Sequence, residues 1–327
     1  MTVNTSSFDC FKRETTPGTS LLVAVDSTTA YHGQTSDKDE KTKETELDLV
    51  ANEILEYYTN AARNANLIYG QQKFNLRRRF HVPTSMLAYY MFLGYGADAV
   101  PATITMRNTG GKDAYSLRHE EAGGTNQLIQ TVGSYCVNIY GKSEMNLAEI
   151  CLQDFAFMDI EDNGDYSPLT TMPVHPESIS TPYYGKPVVT WDYGGGGAIE
   201  LSNAWKAEWR QGQVFENVGF QTPYQINLHE YTPVELIITG NLDTNTQWNA
   251  LVDKTTHDIH VKTYKKDTTY YNNKKFTNCK LKSIKKLGKL PEGKYVAQLI
   301  LTAEKMEVDF VHEFGANFTT WLVNAPP

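Results

Sequence analysis

Apolar and polar side chains alternate from residue 198 to residue 210, and this alternation constrains the fold more than any other feature of the sequence. The apolar positions are Ile199, Leu201, Trp205, Ala207 and Trp209, with Asn203 as the exception, and the polar positions are Glu200, Ser202, Lys206, Glu208 and Arg210, with Ala204 as the exception. A period of two is typical of a strand that buries one face. Four glycines, Gly194 to Gly197, come just before it, but no Lys-Ser or Lys-Thr follows them as in a phosphate-binding loop. We therefore predict a hinge or hairpin that enters a strand.

The composition is that of a folded, β-rich protein. Its 327 residues allow about two domains, and 20 Tyr and 5 Trp favour β-structure. No apolar run approaches the roughly 20 residues of a membrane span, and the N-terminus lacks the apolar run of a secretion signal, so we expect neither. A net charge of −8 argues against a protein that binds nucleic acid by neutralising its phosphates.

The first half of the chain mixes strand patterns with one short helix. We expect an extended N-terminal arm over residues 1–20 and a strand at 21–25. The charge run at 34–46 reads as a solvated loop, and residues 47–62 fit either a helix or, over their first part, an alternating strand. A strand is predicted at 71–82, and a helix follows it, with Ser85 as its N-cap and Gly94 as its C-cap. Further strands are predicted at 102–106, 133–139 and 147–160.

The second half repeats this order of elements. A strand at 233–242 precedes a capping-box pattern at residues 244–247, and Trp248, Leu251 and Val252 have helical spacing. Strands are then predicted at 258–266, 275–284 and 294–310. We align ATITM at 102–106 with DIHVK at 258–262, and Cys136 with Cys279. The hypothesis is a duplication with an arm at 1–20, a first domain at 21–167, a Pro/Gly-rich linker at 168–197 and a second domain at 198–327.

The last predicted strand is long. Residues 294–310 would span roughly 55 Å at about 3.3 Å per residue, which exceeds an ordinary strand. Its apolar parity switches after Glu304, so we predict a bulge or a change of partner there. Two interpretations stay open: a strand that faces a water-filled channel, or a long strand in a two-layer sandwich.

No catalytic set emerges from the sequence. The acidic run between Asp159 and Asp165 resembles part of a calcium loop, but position twelve is Thr170 instead of Glu. His257 and His260 would face opposite sides of a strand, and they lack the Glu of HExxH. The four cysteines are far apart and read as free, mostly buried thiols. We expect no enzyme activity and no catalytic, cofactor-binding or metal-binding residues.

The order of elements resembles the tail tube proteins of long-tailed (siphovirus-like) phages and archaeal tailed viruses. The residues that carry the likeness are VELIITGNLDTNTQWNALVDK, the final LTAEKMEVDF and the middle stretch SYCVNIYGKSEMNLAEICLQDFAFMDI. The resemblance covers most of residues 70–312 and has no invariant motif. It implies a mainly β fold with short helices, made of two related tail-tube-like β-sandwich or barrel domains that contribute long hairpins to a β-barrel shared between subunits.

The resemblance also implies a function and a set of partners. The chain would be a structural virion protein of the tail, assembled in the host cytoplasm, whose stacked rings form the channel for genome delivery. Rings would be homotrimeric with pseudo-sixfold symmetry if the chain carries two copies of the fold, or homohexameric if it carries one. Other tail proteins would be partners, and viral DNA would pass through the lumen without specific binding.

Two alternatives stay open at this point. Another ring-forming tail component, such as a terminator or baseplate adaptor, would form one ring and stop. A β-sandwich carbohydrate-binding protein would instead be monomeric and would use exposed aromatic side chains such as Tyr264, Tyr270 and Tyr271.

Overall fold

A computed structural model gives the fold of most of the chain. It describes residues 7–14, 16–18, 32–35, 42–50, 54–58, 65–69, 73–81, 85–99, 103–107, 113–121, 127–161, 183–192, 198–218, 225–241, 249, 252–266, 269–289 and 295–312. The described residues form a mainly β protein with a short helix and a large, open antiparallel sheet.

The elements fall into a first half and a second half of the chain. The first half contains β1 (Ser7–Arg13), β2 (His32–Thr35), β3 (Thr42–Val50), β4 (Ile54–Tyr58), β5 (Ala65–Tyr69), β6 (Lys73–His81), α1 (Ser85–Leu93), β7 (Tyr95–Ala99), β8 (Thr103–Met106), β9 (Tyr115–Glu121), β10 (Gln127–Glu144), β11 (Ile150–Ala156) and β12 (Asp159–Glu161). The second half contains β13 (Val188–Asp192), β14 (Ala198–Glu200), β15 (Ala204–Val218), β16 (Gln225–Tyr231), β17 (Val234–Gly240), β18 (His257–Tyr264), β19 (Tyr271–Lys289), β20 (Tyr295–Ala303) and β21 (Lys305–Val311).

Eight strands form a central sheet in the order β3-β6-β11-β10-β15-β17-β20-β19. A first flanking sheet has the order β2-β1-β9-β10-β12. A second flanking sheet has the order β14-β13-β18-β19-β21-β8-β7. The strands β10 and β19 each belong to two sheets, because each is long enough to leave a flanking sheet and enter the central one.

The helix α1 fills the space between the sheets. All of its described side chains are buried, including Tyr89 and Phe92 with no exposed surface. The Tyr89 ring lies 5.9 Å from the ring of Phe310 on β21, and its hydroxyl accepts a 2.8 Å hydrogen bond from Nε1 of Trp209 on β15. The helix therefore ties the central sheet to the second flanking sheet through one apolar core.

The predicted end of this helix is confirmed. Gly94 has a φ of 75°, the left-handed conformation that glycine adopts without a Cβ clash. Its N–H donates to the carbonyl of Tyr90 over 2.9 Å. The carbonyl of Phe92, which lies in the last turn, accepts a buried 2.6 Å hydrogen bond from Nε2 of Gln213. A glutamine from the central sheet thus satisfies a carbonyl that the helix leaves without an internal partner.

The pattern of strand pairs in the first half recurs in the second. The pairs β1–β2, β1–β9, β9–β10, β10–β12, β10–β11, β11–β6 and β6–β3 correspond to β13–β14, β13–β18, β18–β19, β19–β21, β19–β20, β20–β17 and β17–β15. All of these pairs are antiparallel. The counterpart of β18 is therefore β9. The predicted alignment of the ATITM segment, which contains β8, with β18 was wrong.

The irregularities of the two halves coincide as well. In the β10–β11 pair the register shifts between Cys136 and Asn138, and in β19–β20 it shifts between Leu281 and Ser283. In the β6–β3 pair the shift lies between Thr42 and Glu44, and in β17–β15 it lies between Ala204 and Lys206. These shifts align the halves residue by residue. In this alignment Cys279 corresponds to Ser134. The predicted match, Cys136, lies two positions away.

Two segments that the sequence assigned outside the domains are strands of the flanking sheets. The predicted N-terminal arm at 1–20 contains β1, which pairs with β2 on one side and β9 on the other. Polar residues do not prevent this, because strand pairing is made by backbone groups. The predicted linker at 168–197 contains β13, whose Val189 and Trp191 are fully buried. The proposed domain boundaries are otherwise untested predictions.

Other local predictions have mixed outcomes. Residues 47–62 contain β3 and β4, so the strand interpretation was right, and β3 begins at Thr42 within the predicted charged loop. The break predicted after Glu304 is confirmed, because β20 pairs with β17 and β21 pairs with β8. The strand at 21–25 and the run Gly194 to Gly197 lie outside the described residues. So does most of the helix predicted around Trp248, although Asn249, Val252 and Asp253 are helical.

Candidate assembly interface

The junction between the two halves lies where β10 pairs with β15 in the central sheet. Residues 138–144 of β10 face residues 206–212 of β15 in unbroken antiparallel register, from Asn138 opposite Gly212 to Glu144 opposite Lys206. This pairing turns two four-stranded groups into one sheet of eight strands. It is therefore an interface between two similar units that happens to lie within one chain.

On the core side, the junction depends on a glycine opposite a tryptophan. Gly141 lies directly opposite Trp209, and a Cβ atom at Gly141 would meet ring atoms of Trp209 at 2.1 to 2.3 Å. Trp209 is buried, and its ring centroid lies 6.5 Å from that of Phe276 on β19. The absence of a side chain at residue 141 therefore provides the space for the largest side chain of the junction.

On the opposite face, the junction carries half-buried charges of both signs. Lys142 lies opposite Glu208, and Glu144 lies opposite Lys206. Within β10, Lys142 and Glu144 form an ion pair of 2.5 Å, and within β15 Lys206 and Glu208 form one of 2.7 Å. The Tyr140 hydroxyl donates a 2.8 Å hydrogen bond to Glu208 across the junction. Opposite charges on facing strands favour this register over one shifted by a residue.

A buried ion pair also joins the halves. Nζ of Lys274, on β19, lies 2.9 Å from both carboxylate oxygens of Glu149, which precedes β11, and neither side chain is exposed. Lys274 also donates to Oγ1 of Thr263 over 3.1 Å and lies 4.6 Å above the Trp209 ring. Nδ2 of Asn272 donates to Glu149 over 3.2 Å. Burial lowers the pKa of Lys274, and the nearby Glu149 carboxylate opposes that effect.

Each end of the central sheet is a strand that pairs on one side only, in the part of the chain that the structure describes. At one end, β3 pairs with β6. At the other end, residues 280–289 of β19 pair with β20. In the alignment of the halves, β3 corresponds to β15 and this part of β19 corresponds to residues 135–144 of β10. The two sheet edges are thus the counterparts of the two strands that meet at the internal junction.

The residues considered for chemistry do not assemble into a site among the described residues. His257 is buried and His260 half-buried on opposite faces of β18, as predicted. Nε2 of His257 lies 2.8 Å from the Thr255 hydroxyl. Asp159 belongs to β12, and the rest of the acidic run toward Asp165 lies largely outside the described residues. No group of three or more potential metal ligands occurs among the described residues.

Cys136, Cys151 and Cys279 are buried, free thiols, as predicted. Burial raises the pKa of Cys136 well above its usual range and that of Cys279 to about 12. Cys151 is fully buried. Because the thiolate is the reactive form, the two with raised pKa values are poor nucleophiles at neutral pH.

The aromatic side chains proposed as a sugar platform are only partly exposed. The rings of Tyr264 and Tyr271 lie 5.5 Å apart on neighbouring strands, and Nζ of Lys262 lies 4.8 Å above the Tyr271 ring. Tyr264 is exposed, whereas Tyr270 and Tyr271 are half-buried.

Sequence reasoning missed the residues that hold the junction together. Glu149 and Lys274 are 125 positions apart, and nothing in their local patterns indicates that they meet. Gly141 lies inside β10, and nothing in the local sequence indicates that it faces a tryptophan. The alternation around Trp209 was the one local signal, and it correctly predicted that this side chain is buried.

Comparison with models of known protein families and with curated protein sequences finds no match. None of the helices among the described residues has the length and apolar character required to cross a membrane.

Proposed function

We propose that the chain is a tail tube subunit of a tailed virus, a structural virion protein whose rings stack into the channel for genome delivery. The observation that carries the proposal is the central sheet of eight strands, whose two open edges correspond to the two strands of an internal junction. An open sheet with matching edges is suited to closure around an axis, since closure removes the edges. The two halves would act as two tail-tube-like domains.

A ring of three chains would give pseudo-sixfold symmetry and a wall of 24 strands, eight from each chain. Barrels of 16 to 18 strands already leave an aqueous channel, so a wall of 24 strands would enclose a wider one. The long pairs β10–β11 and β19–β20 would supply the hairpins of this wall. Six chains would double the strand number, so we favour three.

The charge distribution of the central sheet suits a conduit. At the junction of β10 with β15, its face away from the core carries both bases and acids, with Lys142 beside Glu144 and Lys206 beside Glu208 at ion-pair distance. Neighbouring charges of opposite sign offset each other's field, and salt at 0.1 M screens what remains beyond about 10 Å. If this face lined the lumen, viral DNA would pass without specific binding. The protein's role would be geometric and would involve no catalytic turnover.

Electron microscopy of the purified full chain, in negative stain and across concentration, tests this proposal. Stacked rings or tubes with a central channel are expected, and native mass spectrometry should give three chains per ring. Closed rings that never stack would instead indicate a terminator or baseplate adaptor. Single chains under every condition would overturn the proposal, and a glycan-binding screen would then test the carbohydrate-binding alternative.

A further inference from the structure

The internal junction provides a template for a second junction between chains. Eight strands of each half are joined by the same seven pairs, and two of these pairs carry a register shift at the matching position, so each of these strands has a counterpart in the other half. Residues 138–144 of β10, in the first half, pair with β15. Their counterparts are residues 283–289 of β19, and the counterpart of β15 is β3. These two strands lie at opposite ends of the same central sheet and do not pair with each other within the chain, so a pair between them would join two chains.

The register shifts fix which residues would face each other. The shift between Cys136 and Asn138 aligns Asn138 with Ser283, and the shift between Thr42 and Glu44 aligns Glu44 with Lys206. In the internal junction Asn138 faces Gly212. Carrying four internal pairs over gives Ser283 opposite Val50, Ile284 opposite Leu49, Lys285 opposite Asp48 and Lys286 opposite Leu47. Pairs beyond Lys286 are not carried over, because the register of β19 against β20 shifts again between Lys286 and Gly288.

We propose that β19 of one chain pairs with β3 of a second copy of this chain in that antiparallel register. The partner is the protein itself, and the contact joins two different surfaces, head to tail. Such a contact generates a closed ring or an open helix, depending on the rotation it imposes. The inference deepens the proposed ring assembly and rests on it for the closed form, but the pairing itself requires only the repeated topology.

Charge complementarity supports this pairing. The relevant part of β19 carries Lys280, Lys282, Lys285, Lys286 and Lys289 and no acidic residue, whereas β3 carries Glu44, Glu46 and Asp48 against a single base, Lys43. Lys285 is exposed at the edge of the central sheet. The proposed register places it directly opposite Asp48. Opposite charges that face each other across two strands stabilise their pairing, and like charges destabilise it.

Side-chain sizes are also compatible across the proposed contact. At the internal junction Gly141 faces Trp209. Their counterparts are Lys286 and Leu47. The larger side chain of β15 is thus replaced by a smaller one in β3, and the missing side chain of Gly141 is replaced by a long, flexible one in β19. The two side chains of each pair together fit the space between two strands. Replacing only one member of a pair with its counterpart would overfill or underfill that space.

Cysteine cross-linking in the full-length protein tests the register. The variant Asp48→Cys/Lys285→Cys places two thiols on directly opposed residues, whose Cβ atoms lie about 4.5 to 5.5 Å apart in antiparallel pairs. The control Glu46→Cys/Lys285→Cys moves one thiol two residues along the same face, to about 7 Å. Wild-type protein treated with the same oxidant controls for the native cysteines, of which Cys136, Cys151 and Cys279 are buried.

The expected result is a ladder of disulfide-linked chains on a non-reducing gel, formed at least fivefold faster by the 48/285 pair than by the 46/285 pair, and ending in a closed species of three chains. Equal or faster linking by the control would overturn the register. No ladder from either pair in a preparation that shows rings would overturn the edge contact, while the tail tube proposal would stand. A ladder without stacked rings would support the contact between β19 and β3 and contradict the tail tube proposal.

A charge exchange provides a second test that needs no disulfide. Asp48→Lys and Lys285→Asp should each weaken association about two- to fivefold per junction, as expected for one cross-strand charge pair, and the double variant should restore it. Sedimentation velocity gives the fraction of chains in rings. Circular dichroism of each variant distinguishes lost association from lost folding. A double variant as weak as the singles, with folding intact, would contradict the pairing of residues 48 and 285.

Discussion

Lys274 and Glu149 illustrate how a charged pair can be retained inside an apolar core. Both side chains have no exposed surface, and their remaining hydrogen-bonding groups are met by Thr263 and Asn272. Burying two ions costs free energy, which a well-placed partner roughly offsets. We infer that this pair contributes more to the specific arrangement of the two halves than to stability.

Removing one partner should therefore be much worse than removing both. We expect Lys274→Met to lower the free energy of unfolding by about 3 to 5 kcal/mol, because it leaves the Glu149 carboxylate buried without its cation. Lys274→Met/Glu149→Leu should recover most of that loss. Chemical denaturation followed by tryptophan fluorescence measures both.

The matched control is the partly exposed pair of Lys305 and Glu307, whose side chains are 40% and 22% exposed. Lys305→Met should change the free energy of unfolding by less than about 1 kcal/mol, since solvent screens surface ion pairs. A double variant at 149 and 274 that is no more stable than Lys274→Met would show that packing, and not charge, holds this position.

At the scale of elements, β10 and β19 pass from one sheet to another through a left-handed residue at the same aligned position. Gly133 has a φ of 60° and Asn278 a φ of 52°. The N–H of Gly133 donates to Glu14 over 2.9 Å, and that of Asn278 donates to Asp258 over the same distance. The residues just before them, Val132 and Thr277, also match, because their carbonyls accept hydrogen bonds from the backbone N–H groups of Met158 and Glu304.

Substitutions at these two positions should have unequal effects. Gly133→Ala should cost at least about 2 kcal/mol of unfolding free energy, because a Cβ would lie 2.4 Å from Sδ of Met158 and the positive φ is strained for alanine. Asn278→Gly keeps the conformation and loses an exposed hydrogen bond to Glu304, so we expect less than about 1 kcal/mol. Thermal unfolding of both variants compares them. Similar losses of unfolding free energy in the two variants would mean that the left-handed backbone conformation does not determine how β10 and β19 pass between sheets.

Local patterns predicted single elements better than their connections. The helix at Ser85–Leu93 was predicted from an apolar run between Ser85 and Gly94, and the strand at Val234–Gly240 was predicted as well. The shift at Trp205 was missed, because Ala204 is fully buried while Trp205 is half-buried, against the predicted parity. A bulge moves the following residues to the other face without altering composition, so periodicity alone could not locate it.

The whole molecule has an acidic strand at one end of its central sheet and a basic one at the other. If these edges meet between chains, association should weaken as salt rises. Between 0.1 M and 1 M salt the screening length falls from about 10 Å to about 3 Å. We expect the ring fraction in sedimentation velocity to fall over that range at constant protein concentration.

The double variant Asp48→Asn/Lys285→Gln should show a flatter salt dependence, because it removes the central charge pair of the proposed contact. Lys305→Gln, at a site away from that contact, should leave the salt dependence as in the wild type. Ring formation that is insensitive to salt in all three proteins would contradict an electrostatic contribution from these edges.

The pairing of β10 with β15 inside one chain also bears on how fast rings could grow. In a ring of three chains, half of the six junctions would be present as soon as each polypeptide folds. Only three encounters between molecules would remain, and the tethered junctions would form at the millimolar effective concentrations typical of short connections. Fusing two units into one polypeptide would thereby fix their one-to-one supply and lower the protein concentration at which assembly begins.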